Sequence, residues 1–155
     1  MPVGAVRFDG IDTARPSPEV IAAIDSADVI VIAPSNPIVS IEPVMAVPGL
    51  REALRAASAS TVAISPIVGG AALKGPAADM MDALGHGADV AGVARLWADD
   101  VDLMLIDNVD AHRAAAVREA GIVPYITDTV MATPQRRARL ARTTLAAASL
   151  LSSTT

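Results

Sequence analysis

Four short apolar runs, Val29–Ala33, Thr61–Ser65, Val101–Asp107 and Ile122–Thr127, recur along the chain, each followed at once by a polar or glycine-bearing turn. Runs of this length, rich in β-branched residues, read as strands, and continuous apolar character without alternation is the mark of strands covered on both faces. Val29–Ala33 in particular reads as buried on both sides. The segments between the runs have helical spacing. Val20, Ile21 and Ile24 share one face of a helix over 18–26 with Ser17 as its N-cap. Ser40 is placed to cap a helix over 41–47, and Leu50–Ala57 follows, with Leu50 and Leu54 four apart. Pro76 opens a helix to Leu84, Asp89 caps one to about Trp97, and Ala111–Ala120 is stopped by Gly121. The last helix starts at Thr133 and Pro134 and runs to about Leu151. Val3–Phe8 reads as an edge strand.

Strands alternating with helices through short turns predict an α/β fold, with a mainly parallel sheet and helices on both faces, Rossmann-like in kind. The 155 residues fit one domain over 1–151, with 152–155 as a disordered tail. Aromatic residues make up only 2% of the chain and apolar residues 52%, so the core is built from Ala, Val, Ile and Leu. That poverty of aromatics, with a net charge of -5, argues against nucleic acid as a partner. Without cysteine there is no disulfide and no thiolate metal site, which favours a cytoplasmic location. No apolar run approaches the roughly 20 residues of a membrane span.

Parallel strands end on one edge of their sheet, and that edge is where open α/β sheets bind ligands. Four polar groups should gather there: Ser35 with Asn36, Ser65 with the loop from Gly69 to Lys74, Asp107 with Asn108, and Asp128 between Thr127 and Thr129. Pro34 and Pro37 stiffen the first turn around its two small polar residues. Either those side chains satisfy their own backbone, or they meet a ligand. The loop with Gly69, Gly70 and Gly75 also holds Lys74, the only lysine beside 11 arginines. It is a flexible connection or a phosphate cradle, offering close-approaching backbone donors and one cation.

Asp128 is a turn residue hydrogen-bonded to Thr129 or Thr127, or it positions a metal or the substrate. Asp107 and Asp110 read as turn and cap residues, and His86, between two glycines, as a solvated loop residue. Arg136, Arg137, Arg139 and Arg142 crowd the start of the last helix against its dipole, and read as a solvated face paired with Asp99, Asp100 and Asp102 or with a further segment. No hydrolytic triad or zinc spacing is present.

Taken together, Pro34-Ser35-Asn36-Pro37-Ile38-Val39-Ser40-Ile41, Val47-Pro48-Gly49-Leu50-Arg51, Ser65-Pro66-Ile67-Val68-Gly69-Gly70, Leu73-Lys74-Gly75-Pro76 and Thr127-Asp128-Thr129-Val130-Met131 resemble the 2-phospho-L-lactate transferase family, called CofD or FbiA. The resemblance covers nearly the whole chain, in order. Ala33 and Glu42 stand where the family pattern has glycine, and Arg95-Leu96-Trp97 replaces a segment containing His and Tyr.

The resemblance implies a transferase of coenzyme F-420 biosynthesis. Such enzymes move a phospholactyl or phosphoenolpyruvyl group from a GDP-linked donor onto the deazaflavin Fo, with magnesium and release of GMP. It further implies that this chain is the C-terminal half of a larger fold whose first half carries the magnesium ligands. On that reading Ser35, Asn36, Pro37, Ser40, Ser65, Gly69, Gly70, Lys74, Gly75 and Asp128 contact the substrate. A homodimer or an N-terminal half is the protein partner implied. A non-catalytic nucleotide- or nucleotide-sugar-binding module, or a structural fragment, stands as the alternative.

Overall fold

The computed structural model describes residues 4–72 and 75–152. In chain order the elements are α1 (Pro18–Asp25), β1 (Val29–Ile32), a π-helical turn (Pro37–Ile41), α2 (Glu42–Met45), α3 (Leu50–Ala56) and β2 (Ser60–Ile64). A small hairpin, β3 (Ile67–Val68) with β4 (Ala71–Ala72), precedes α4 (Ala77–Ala83) and α5 (Val90–Leu96). Then come β5 (Leu103–Asp107), a 3-10 turn (Asn108–Arg113), α6 (Ala114–Glu119), β6 (Val123–Thr127) and α7 (Pro134–Ser152).

β1, β2, β5 and β6 form one sheet in that spatial order, and every pair is parallel. The connections from β1 to β2, β2 to β5 and β5 to β6 are each helical crossovers, which return the chain to the same end of the sheet. Side chains alternate between its two faces. Ile32, Ala63, Met104 and Ile106 face a layer carrying Met81, Val90, Val93, Trp97 and Val117. On the opposite face Val62, Ile64, Leu103 and Leu105 lie under Leu140, Ala147 and Ala148 of α7, whose spacing of seven and one keeps them on one stripe. Helices therefore cover both faces, as the sequence predicts. Trp97 is the one tryptophan of the chain and lies buried in the helical layer, 1% exposed.

The edges of the sheet depart from expectation. β1 lies at one edge, and its Val31 is 42% exposed, so the run is not buried on both faces. A strand's composition reports its own faces and says nothing of how many neighbours it has. The predicted edge strand over 3–8 is also missing from its described part: Gly4–Phe8 is irregular and leads into a 3-10 turn, Ile11–Thr13, which follows Gly10 at a left-handed φ of 79°. At the other edge β6 carries Pro124. The Val123 N–H donates to the Asp102 carbonyl on the β5 side. Amides alternate along a strand, so the nitrogen of Pro124 faces outward, where no ladder hydrogen bond is lost.

Candidate functional site

The strand ends gather as expected at one edge of the sheet, but their polar side chains serve mainly to fix the turns that carry them. After β1, Asn36 caps the π-helical turn. Its Oδ1 accepts from the N–H groups of Ile38 at 2.9 Å and Val39 at 3.2 Å, while its Nδ2 lies 3.5 Å from the Met80 sulfur. This corrects the expectation for Ser40, which lies inside that turn with its own N–H donating to the Asn36 carbonyl. The cap sits four residues earlier because Pro37, lacking an N–H, takes the first helical position. Pro37 is buried and Ser40 exposed. Ser35 is half-buried, and its hydroxyl has no hydrogen-bond partner among the described residues. Glu42 is engaged by Arg51 at 2.8 Å.

After β2, the Ser65 hydroxyl closes a local turn, donating to the Ile67 carbonyl at 3.0 Å and accepting from its N–H at 3.2 Å. Gly69 and Gly70 form the tip of the β3–β4 hairpin with left-handed φ values of 60° and 75°, a geometry that favours glycine at both. The hairpin was hidden in what the sequence presents as a plain loop. Gly75 also has a positive φ, 76°, and is exposed, whereas Lys74 lies outside the described residues.

Two carboxylates carry more of the architecture than their sequence context suggests. Asp107, at the end of β5, accepts from Val109 N–H through Oδ1, the cap role expected of it. Its Oδ2 also takes both the N–H and the hydroxyl of Thr129, beyond the end of β6. Asp110 is not a cap: its Oδ2 accepts from Gly69 N–H at 2.9 Å. Both are buried, 5% and 3% exposed, so their hydrogen bonds are little diluted by water. One turn thus holds its neighbour on each side. A signal existed in the sequence, since an aspartate ending a run as apolar as Leu103–Ile106 is placed where burial demands partners.

After β6, Asp128 accepts from Val130 N–H at 3.1 Å and from Arg139, with Arg136 Nε 3.8 Å away. Arg136 and Arg139 at the start of α7 therefore pair with Asp128, and not with the acidic group at 99–102. Asp100 is taken instead by Arg51 and Arg55, and Asp102 by the Thr61 N–H. The acidic group lies at the opposite edge of the sheet, as the antiparallel run of α7 requires. A hollow of about 770 Å³ also lies at that opposite edge, between Ser58–Thr61 and Asp99–Asp102, away from the strand-end loops. His86 is half-buried between Gly85 and Gly87, and its carbonyl accepts from Arg95 at 2.9 Å.

The chemistry available at the strand ends is that of backbone N–H groups, a free serine hydroxyl and nearby arginines, which suits oxyanions. Among the described residues no three carboxylates or imidazoles come together in a way that could hold a metal ion.

The sequence profile of the family described as 2-phospho-L-lactate transferase CofD matches residues 2–146. The chain is 46% identical over 140 residues to a phosphoenolpyruvate transferase of Kitasatospora aureofaciens, an overlap of 90% of this chain and 44% of that protein. It is 39% identical over 129 residues to a 2-phospho-L-lactate transferase of Methanocaldococcus jannaschii, covering 83% of this chain and 40% of the relative. The chain thus spans less than half the length of either. Among solved structures, a Bacillus halodurans protein superposes with a TM-score of 0.56 at 23% identity, over 84% of this chain and 47% of that one, which shows a shared fold.

Proposed function

Because this chain belongs to the 2-phospho-L-lactate transferase CofD family, we propose that it supplies the donor-nucleotide contacts of a phospholactate or phosphoenolpyruvate transferase. In the proposed reaction a phospholactyl or phosphoenolpyruvyl group passes from a GDP-linked donor to a hydroxyl of the deazaflavin Fo in coenzyme F-420 biosynthesis. The new P–O bond forms to the Fo oxygen, the phosphoanhydride bond breaks with its electron pair leaving on GMP, and the hydroxyl proton passes to solvent. Such a transfer needs the hydroxyl held in line with the phosphorus and donors for the oxygens on which charge develops.

The observation that carries this reading is the joined row of strand-end loops, in which Asp110 fixes Gly69 and Asp107 fixes Thr129 at one edge of the sheet. Ser35, with the Asn36–Pro37–Ser40 turn, and the Gly69–Gly70 tip are the proposed contacts. Ser65 and Asn36 act there through the turns they hold. Magnesium belongs to the proposed reaction and would be held by residues outside this chain. The proposed protein partner is an N-terminal half of the fold or a second copy, meeting the free side of β1. No described helix is long and apolar enough to cross a membrane, and a cytoplasmic setting is proposed to go with a soluble substrate pair.

Calorimetric titration of this chain with GDP, GMP and a UDP-sugar tests the reading. GDP should bind in preference to the UDP-sugar. Absence of guanine-nucleotide binding overturns the donor-contact role, and preference for the UDP-sugar points to the non-catalytic module. Transfer onto Fo by the isolated chain would show that it holds catalytic groups not assigned to it here.

A further inference from the structure

The arginines at the start of α7 are placed where elementary electrostatics disfavours them. Arg136, Arg137, Arg139 and Arg142 occupy the first turns of a 19-residue helix, beside its positive end. The chain as a whole is acidic, so this is a local reversal of charge. Repulsion among the four and with the helix is relieved by a single carboxylate. Asp128 accepts from Arg139 and lies 3.8 Å from Arg136 Nε, while Arg137 Nε donates to the Met131 carbonyl at 3.3 Å. Arg142 has no ion pair among the described residues.

Asp128 is itself fixed. The Val130 N–H donates to its Oδ1, and the next residue, Thr129, is anchored to Asp107. The arginine side chains it holds remain about half exposed, 48% for Arg136 and 55% for Arg139. A guanidinium has five N–H donors, and a single carboxylate engages few of them. The patch also continues the row of strand ends: Gly69 is tied to Asp110, Asp107 to Thr129, and Asp128 to Arg139.

We propose that Arg136 and Arg139, oriented by Asp128, form a binding site for a phosphate-bearing ligand beside the strand-end loops. The identity of that ligand as the diphosphate of a nucleotide-linked donor rests on the function proposed above. The anion site itself does not. Asp128 is then a positioning residue whose carboxylate spreads the two forks toward the open edge, and the arginines are the direct contacts. Fork-shaped donors of this kind match the oxygens of a phosphate in pairs.

Inorganic pyrophosphate and GDP are the probes, titrated into the chain at several salt concentrations. In R136Q/R139Q both should bind about tenfold or more weakly, and the residual binding should depend less on salt. R7Q, removing an arginine 86% exposed and paired with Asp9, should leave binding unchanged. D128A should weaken binding although it makes the patch more positive. Tighter pyrophosphate binding in D128A overturns the positioning role. GDP and pyrophosphate bound equally by wild type and R136Q/R139Q overturns the site while leaving the donor-contact reading intact. Arginine-dependent binding of pyrophosphate without binding of GDP supports the site and sinks that reading. Binding of neither probe to the wild type overturns the site.

Discussion

Asp107 holds Thr129 through a single carboxylate oxygen, which accepts the N–H at 2.8 Å and the hydroxyl at 3.1 Å. The other oxygen takes the Val109 N–H, so three donors from two segments depend on one side chain. Asp107→Asn keeps the shape but turns one acceptor into a donor, so that one buried N–H faces another. The expected loss is about 1–3 kcal/mol in chemical denaturation. Thr129→Val removes only the hydroxyl bond and should cost about 0.5–1.5 kcal/mol. A D107N protein as stable as wild type would show that water replaces these bonds.

The Asp110 anchor is local, reaching only the tip of the β3–β4 hairpin. Asp110→Ala should therefore speed amide hydrogen exchange at Gly69 well before it changes exchange in β5, as expected when one loop opens without global unfolding. Equal acceleration in loop and strand would mean that the contact supports the core instead.

Gly92 lets α5 press against the preceding loop. A Cβ there would stand 2.1 Å from the Gly87 carbonyl oxygen and 2.5 Å from that of His86. Both are backbone atoms and cannot swing aside. Gly92→Ala gains helix propensity, yet the clash should win and destabilise by about 1–3 kcal/mol. A thermal midpoint equal to or above that of wild type contradicts this packing.

For Asp128, burial pushes the carboxyl upward, but the Val130 N–H and the charges of Arg136 and Arg139 together outweigh it and hold it below the usual carboxylate range. A carboxyl depressed in the folded state contributes stability above its unfolded pKa, and that contribution is lost as pH falls through the lowered value. Carboxyl NMR titration should find the Asp128 midpoint below the ordinary value of an aspartate side chain. In Arg139→Gln it should move upward. An unmoved midpoint would separate Asp128 from its arginine.

The main strands and helices are legible in the residues because each run carries its own periodicity. Leu103–Asp107 must be a buried strand wherever it sits, and Ser17 caps α1 as its spacing announces. Relations between runs are less legible. Nothing in Val29–Ile32 tells that one side lacks a neighbouring strand among the described residues. The shift of the cap from Ser40 to Asn36 follows from a π-helical turn, in which the Ile41 N–H reaches back to the Asn36 carbonyl. That extra residue per turn leaves no periodic trace in five positions. The pairing of Asp128 with Arg139 spans eleven residues and depends on the path of the 128–133 segment, which no local preference specifies.

A hydrogen-bonded sheet can be extended only from a side that still has donors to offer. Beyond β6 the outward row is interrupted by Pro124, whereas β1 contains no proline and keeps its outward amides. The two margins are thus chemically unequal: among the described residues, a further strand would find a proline-free template next to β1 and an interrupted one next to β6. One imino acid sets that polarity, because it closes one margin at little cost to the strand that carries it.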